Sequence, residues 1–214
     1  MAVKPAAIPD KKRMSSLPIF APSRPVVVVP YQVEWPQEFS LLAQRIRDAA
    51  GPNLLEINHI GSTAVPGLCA KDVLDVQLQV GSLAKAAALI QQLRMAGFRQ
   101  GEHLVYDIFH GLPDQSPELE KLYMREPLGE RRVHVHIREK GRFNTRYALL
   151  FRDYLRAQAS ARAEYGELKL RAAALFPDSI AGYLYLKEPV FHLLYYAADL
   201  WAEQVGWKPA DAPN

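Results

Sequence analysis

HIGSTAVPGLCAKDVLDVQLQV, residues 59–80, reads as the end of one strand, a tight Gly-Ser turn, a short helix or coil, and a strand with two unlike faces. The even positions Leu74, Val76, Leu78 and Val80 are apolar, whereas Asp75, Gln77 and Gln79 are polar. Strand side chains alternate between faces, so one side belongs in the core and the other presents a carboxylate and two amides. Gly61 permits positive φ or close backbone approach, and Ser62 and Thr63 bring hydroxyls that can cap a turn or grip an anion. Pro66-Gly67 keeps any helix here short, which limits what a helix dipole can add. A charged residue seldom sits in a central strand unless paired or functional. Asp75 is therefore either a ligand for Mg²⁺ or Mn²⁺ or one half of a structural salt bridge. A phosphate-friendly turn followed by a carboxylate on the next strand is the minimal layout for handling a nucleoside triphosphate with a divalent metal.

Arg132–Arg138 repeats the two-faced pattern, with Val133, Val135 and Ile137 on one side and Arg132, His134, His136 and Arg138 on the other. Two imidazoles at i and i+2 of a strand point the same way. They can share a metal, a phosphate or a general-base task, or be incidental on a surface strand. Should this strand lie beside the Asp75 strand, a carboxylate and two imidazoles line one cleft. Arg132, Arg138 and Arg152 can then add positive charge for a triphosphate.

Further out, residues 1–25 are rich in Pro, Ala, Ser and Lys without periodicity and are expected to form a flexible tail. Val26–Val29 is expected as an edge strand. Glu34–Ala50 should be an amphipathic helix, through Trp35, Phe39, Leu42 and Ile46, stopped by Gly51-Pro52-Asn53. Leu54–Ile60 is the first central-strand candidate. Ser82 should cap a helix running to about Ala96, with Gly97 past its end. Leu104–Phe109 and Leu119–Met124 look like strands around a turn-rich loop, 111–117. From Asn144 the pattern turns helical: a stripe of Tyr147, Leu150, Phe151, Tyr154 and Leu155, a second helix after Gly166, and a long aromatic segment capped by Asp178 or Ser179. Pro189 should kink or divide that last segment. The expected organisation is an α/β core over 26–143, α+β in type, followed by a helical part, 144–214, packed on it.

At 214 residues with 49% hydrophobic content, the chain supports one core without staples. Cys69 is the lone cysteine, which excludes an intramolecular disulfide and a thiolate zinc cluster; packing is its expected role. No segment approaches a membrane span, and Lys and Pro interrupt any secretory signal at the N-terminus. The formal charge of +3 is concentrated: residues 1–25 carry five basic groups and one acidic, leaving the remainder at −1. That balance gives no support to a general nucleic-acid surface; no membrane partner is expected, and the expected setting is cytoplasmic. It says nothing of oligomeric state, although aromatic C-terminal helices would also suit an interaction protein.

The 59–80 stretch resembles the signature of the GrpB family, placed in the nucleotidyltransferase superfamily. VHVHIR at Val133–Arg138, LLFRDYLR at Leu149–Arg156, and the spacings Tyr165…Leu168-Lys169 and Tyr183…Lys187…Phe191 continue the match over about 26–192. The resemblance implies a polymerase-β-like nucleotidyltransferase core with a small mixed sheet, followed by helices. It also implies a Gly-Ser motif holding triphosphate oxygens, an Asp-x-Asp or Asp-x-Glu pair binding two divalent ions, and a third carboxylate on a later strand. Gly61-Ser62 and Asp75 fill their places. Gln77 stands where the second carboxylate belongs, and His134 or His136 stands for the third. The expected assignment is thus Asp75, His134 and His136 in catalysis, and His59, Gly61, Ser62, Thr63, Lys71 and Arg152 on a nucleotide or other phosphorylated small molecule. Asp75, Gln77 and His136 would hold a divalent metal, Mg²⁺ or Mn²⁺. The leading reading is a transferase that moves a nucleotidyl group to a small acceptor; the alternative is an inactive binding module related to coenzyme or nucleotide metabolism. Family members also occur fused to dephospho-CoA kinase, but this sequence contains no Gly-x-x-x-x-Gly-Lys-Ser/Thr loop.

Overall fold

The computed structural model describes residues 18–101 and 106–209. Five strands, β1 (Glu56–Ile60), β2 (Leu74–Val80), β3 (Arg99–Gln100), β4 (Leu122–Arg125) and β5 (Val133–Glu139), form one mixed sheet in the order β1-β2-β5-β4-β3. β2 and β5 run parallel, and the other pairs are antiparallel. β2 and β5 are therefore neighbours, as the cleft requires. β1, expected as central, is instead an edge strand, and it starts two residues later than its apolar run; Leu54 N–H bonds back to Gly51 O of the preceding turn, and Leu55 N–H donates to Gln79 O.

The apolar rows of the sheet face α1 (Trp35–Ala50) and α2 (Ala87–Met95). Leu74, Val76, Leu78, Val133, Val135, Ile137 and Met124 pack there against Trp35, Ala43, Ile46, Leu89 and Leu93. Burying each such side chain is worth roughly 1.5–3 kcal/mol, so this layer fixes strand register; a one-residue slip would turn every polar partner inward. α1 matches its expected range. Ser82 makes no side-chain cap; instead Glu139 Oε2 accepts from Leu83 N–H at 3.1 Å, and a 3₁₀ turn precedes α2.

The opposite face is crossed by α3 (Phe143–Ala157), on which α4 (Ala159–Leu175) and α5 (Ile180–Val205) pack. Tyr147 and Leu150 of α3 meet Tyr195, Ala198 and Ala202 of α5. α4 begins before Gly166 rather than after it. That glycine lies inside the helix, where a Cβ would meet Leu68 and Cys69 at ordinary contact distance. Ser179 Oγ accepts from Gly182 N–H at 3.3 Å, as a cap should, and α5 continues undivided through Pro189.

Val26–Val29 contributes only one bridge, Val29 to Ala70. Of the strand expected over Leu104–Phe109, Leu104 and Val105 lie outside the described residues, and Tyr106 makes a single bridge to Glu120. Residues 1–17 of the expected tail also lie outside them. Residues 20–25 are not a free tail: Ser23 N–H donates to Asp178 O at 2.7 Å, and Phe20 packs on Phe176 and Tyr185.

Candidate functional site

Strand register arranges the polar face in three rows. Ile60, Asp75, His134 and Arg125 form the first; Asn58, Gln77, His136 and Tyr123 the second; Glu56, Gln79 and Arg138 the third. The first row lies at the mouth of the sheet, with the Asp75 side chain 29% exposed and His134 26%. His136 is 14% exposed and Arg138 only 5%, so the face closes from the first row to the third.

Asp75 Oδ1 lies 3.1 Å from His134 Nδ1 and 3.7 Å from His136 Nε2. One donor atom from each falls within a 4.8 Å span. Burial alone would push the Asp75 carboxyl up; hydrogen bonds and charge from His134 and His136 reverse that and hold it well below the usual carboxylate range. Burial, then the Lys121 ammonium, lowers His136 to about 4, so its ring is neutral at neutral pH. Lys121 Nζ lies 3.3 Å from His136 Nδ1. An ammonium has no lone pair, so Nδ1 accepts and the ring proton sits on Nε2, facing Asp75. Behind this, Asp107 pairs with Lys121 at 2.5 Å and with Arg138 at 2.9 Å. Burial opposes ionisation of Asp107, but Arg138 and Lys121 keep it far below its ordinary value.

The Gly61 turn closes on the same carboxylate. Gly61 has φ +71°, and a Cβ there would collide with Asp75 Oδ2, so both the conformation and the contact demand glycine. Residues Ser62–Ala64 make a single 3₁₀ turn, which offers no helix dipole. The Ser62 hydroxyl has no hydrogen-bond partner among the described residues. The neighbouring candidates serve the turn itself. Thr63 is buried, with Oγ1 donating to Val73 O at 3.4 Å and lying 3.0 Å from His59 Nε2. His59 stacks on Phe39 at 4.6 Å, and burial lowers its pKa to about 4. Arg152 Nη1 donates to His59 O at 3.0 Å and pairs with Asp153, while Arg156 Nε donates to Ala64 O at 2.9 Å. His59, Thr63 and Arg152, expected on phosphate, thus clamp the backbone on either side of Gly61. Arg138, expected to add charge for a triphosphate, is engaged below the surface.

Lys71, expected on the nucleotide, has its Nζ 4.9 Å from the centre of the Tyr183 ring. Burial, then repulsion from Lys187, lowers it to about 8; Lys169, whose Nζ donates to Cys69 O, falls to about 7 for the same reasons. Arg24 is lowered by burial and then by Arg132 and Arg125. The charge of Asp75 pulls both lysines the other way. Lys71 thus feels Lys187, Arg24 and Arg132, and Lys169 feels Lys187 and Lys71, with Asp75 opposing in both cases, an arrangement that a bound polyanion relieves. Lys169 and Lys187 fall in the family spacings yet carried no assigned role. Asp107 and Lys121 follow no pattern visible in the chain.

The donor set can be tested against the metals. Two adjacent dications need a second carboxylate at Gln77. That side chain is fully buried; its Oε1 accepts from Arg138 Nη1 at 2.6 Å and its Nε2 donates to Thr145 O at 3.3 Å. With both ends used, Gln77 is not a metal ligand, and the two-metal set does not fit. A single ion does fit, on Asp75 with His134. Recruiting His136 requires Lys121 to yield its proton or swing away. Imidazole and one carboxylate suit Mn²⁺ or Zn²⁺ better than Mg²⁺. An open groove of about 820 Å³ beside α2, lined by Ile90, Arg94 and Leu122 among others, shares no residue with this cluster.

Comparison with known proteins adds the following. The family model described as GrpB protein matches residues 25–196. A protein named dephospho-CoA kinase from Mycolicibacterium paratuberculosis is 38% identical over 200 residues, 86% of this chain and 49% of that protein. The protein YqkA of Bacillus subtilis is 32% identical over 168 residues, 78% of this chain and 45% of its own. The chain thus spans about half the length of these curated relatives. The crystal structure of the conserved protein GrpB from Enterococcus faecalis superposes with a TM-score of 0.69 at 29% identity, over 82% of this chain and 99% of that one. No helix among the described residues is long and apolar enough to cross a membrane.

Proposed function

The chain belongs to the GrpB family, and on that premise we propose that it binds a nucleoside triphosphate, or another small molecule bearing a polyphosphate, beside Asp75 with one divalent cation. The observation that carries this is the pair of buried lysines, Lys71 and Lys169, each lowered by burial and by repulsion from Lys187 and each pulled the other way by Asp75, the carboxylate on which the glycine turn closes. Lys71 and Lys187 meet the phosphate charge, Lys169 supplies field from behind the backbone, and the Ser62 hydroxyl donates to a phosphate oxygen. The cation, held by Asp75 and His134, neutralises phosphate charge and polarises a phosphoryl oxygen. Binding rather than two-metal transfer is the reading the closed Gln77 favours. A nucleotide ligand and an unpaired Cys69 accord with a cytoplasmic protein.

A second reading, nucleotidyl transfer to a small acceptor, draws on the 3.1 Å contact between Asp75 and His134. A carboxylate fixing Nδ1–H leaves Nε2 as a base for an acceptor hydroxyl. A thermal-shift panel of nucleotides with Mg²⁺ or Mn²⁺ tests the first reading: a metal-dependent rise in melting temperature is expected, and no rise at millimolar nucleotide defeats it. Release of pyrophosphate with a hydroxylated acceptor, abolished by His134→Ala, would establish the second.

A further inference from the structure

Away from this cleft, the turn after Asp107 meets the middle of α5. Glu188 and His192 are one helical turn apart, so they share a face. His110 reaches that face from the turn, with its Nε2 2.9 Å from Glu188 Oε1 and its ring centre 4.1 Å from that of His192. One ligand atom from each of the three falls within 4.8 Å. Gly111 makes the approach possible, because a Cβ there would run into the Phe109 ring.

A surface ion pair between His110 and Glu188 accounts for only part of this. His192 is 5% exposed; its Nε2 lies 3.4 Å from Ile108 O, and its Nδ1 is buried with no hydrogen-bond partner. Donation from Nε2–H to a backbone carbonyl places the ring's lone pair on Nδ1. Metal-bound histidines are oriented in this way, with the second nitrogen donating to a carbonyl or carboxylate. Here the lone pair is ready and nothing meets it.

We propose that a divalent cation of the zinc class binds His110, Glu188 and His192, with a fourth position open to water, and fastens the Asp107–Leu112 segment to α5. Two imidazoles and one carboxylate are a zinc-type donor set. Ligands on one zinc sit about 3.3 Å apart for bonds of about 2.0–2.1 Å, so the 2.9 Å contact between His110 and Glu188 opens slightly on binding. His110 has room to do so, since its side chain is 60% exposed. The fastened segment also supplies Asp107, the partner of Lys121 and Arg138.

The test uses the full chain, stripped with a chelator and titrated with Zn²⁺ by calorimetry, with Co²⁺ absorption reporting coordination. His110→Ala and Glu188→Gln alter partly exposed side chains, and far-UV circular dichroism checks their fold. Asp75→Asn marks ions held in the other cleft. One zinc equivalent should survive in Asp75→Asn and weaken more than tenfold in both His110→Ala and Glu188→Gln, with loss of the Zn²⁺-induced rise in melting temperature. No zinc uptake by the wild type at micromolar concentration would overturn the proposal. So would binding that His110→Ala and Glu188→Gln leave unchanged.

Discussion

The inner and outer rows of the polar face share strands, register and alternation, yet differ in fate. At the inner end Arg138 donates to both Gln77 and Asp107, Gln79 donates to Asn58 Oδ1 at 3.0 Å, and Asn144 donates to Asp107 Oδ2 at 3.2 Å. At the outer end Asp75 and His134 stay part-exposed beside a glycine turn and a set of crowded cations. A polar strand face is therefore not a cleft by itself. What separates interior network from site is how far each row is closed from solvent: Asp75 and His134 stay part-exposed, whereas Arg138 is buried.

The largest expected effect comes from breaking the inner end. Arg138→Met would leave Asp107 and Gln77 buried without their shared partner, and loss of one member of a buried pair costs about 3–5 kcal/mol. Urea unfolding should show a loss of that order; a loss under about 1 kcal/mol would mean that the inner row is solvated after all. Next in size is Gln77→Asp. The new carboxylate should be taken by Arg138 while one oxygen faces Thr145 O, a mismatch of about 1–3 kcal/mol. No second Mn²⁺ should bind, and calorimetric uptake of a second ion would show that the inner row opens.

Smaller still is a pH effect from the outer end. Lys169 falls to about 7 in the folded state, and an unfolded lysine titrates near 10.4. Below pH 7 both states hold the proton and the cost of burying the charge is full. Between about 7 and 10 the unfolded chain binds more protons, so this lysine's contribution to stability rises with pH. Lys71, at about 8, acts in the same direction over the upper part of that window. Unfolding midpoints measured from pH 7 to 9 should show this slope, flattened in Lys169→Met; an unchanged slope would remove the lysine from the account. The smallest effect is that of Asp75→Asn on the ligand-free protein. The amide still accepts from His134, so unfolding should shift by about 1 kcal/mol or less, and a larger loss would make Asp75 a structural residue.

Much of the scaffold was legible because it rests on alternation. Leu74 through Val80 and Val133 through Ile137 declare their buried sides residue by residue, and the adjacency of β2 and β5 is what two matching two-faced strands permit. Alternation says which side of a strand is polar but not what covers it, so Gln77 read as a candidate ligand when α3 makes it interior. His59, Thr63 and Arg152 carry a related ambiguity: residue types that bind phosphate are also the types that tie down a tight turn. Lys169 and Lys187 reach the site from helices almost a hundred residues or more beyond it in the chain, and His110 meets His192 across a similar distance. No local period records such meetings.

Calorimetric titration of a nucleoside triphosphate into the wild type and Asp75→Asn, each with and without Mn²⁺, bears most directly on the claim that the outer row is a metal-assisted phosphate site. Wild-type binding should tighten at least tenfold with Mn²⁺, and Asp75→Asn should lose that gain while keeping the metal-free affinity that the lysines supply. Equal Mn²⁺ dependence in the two proteins, or no binding by either, would contradict it.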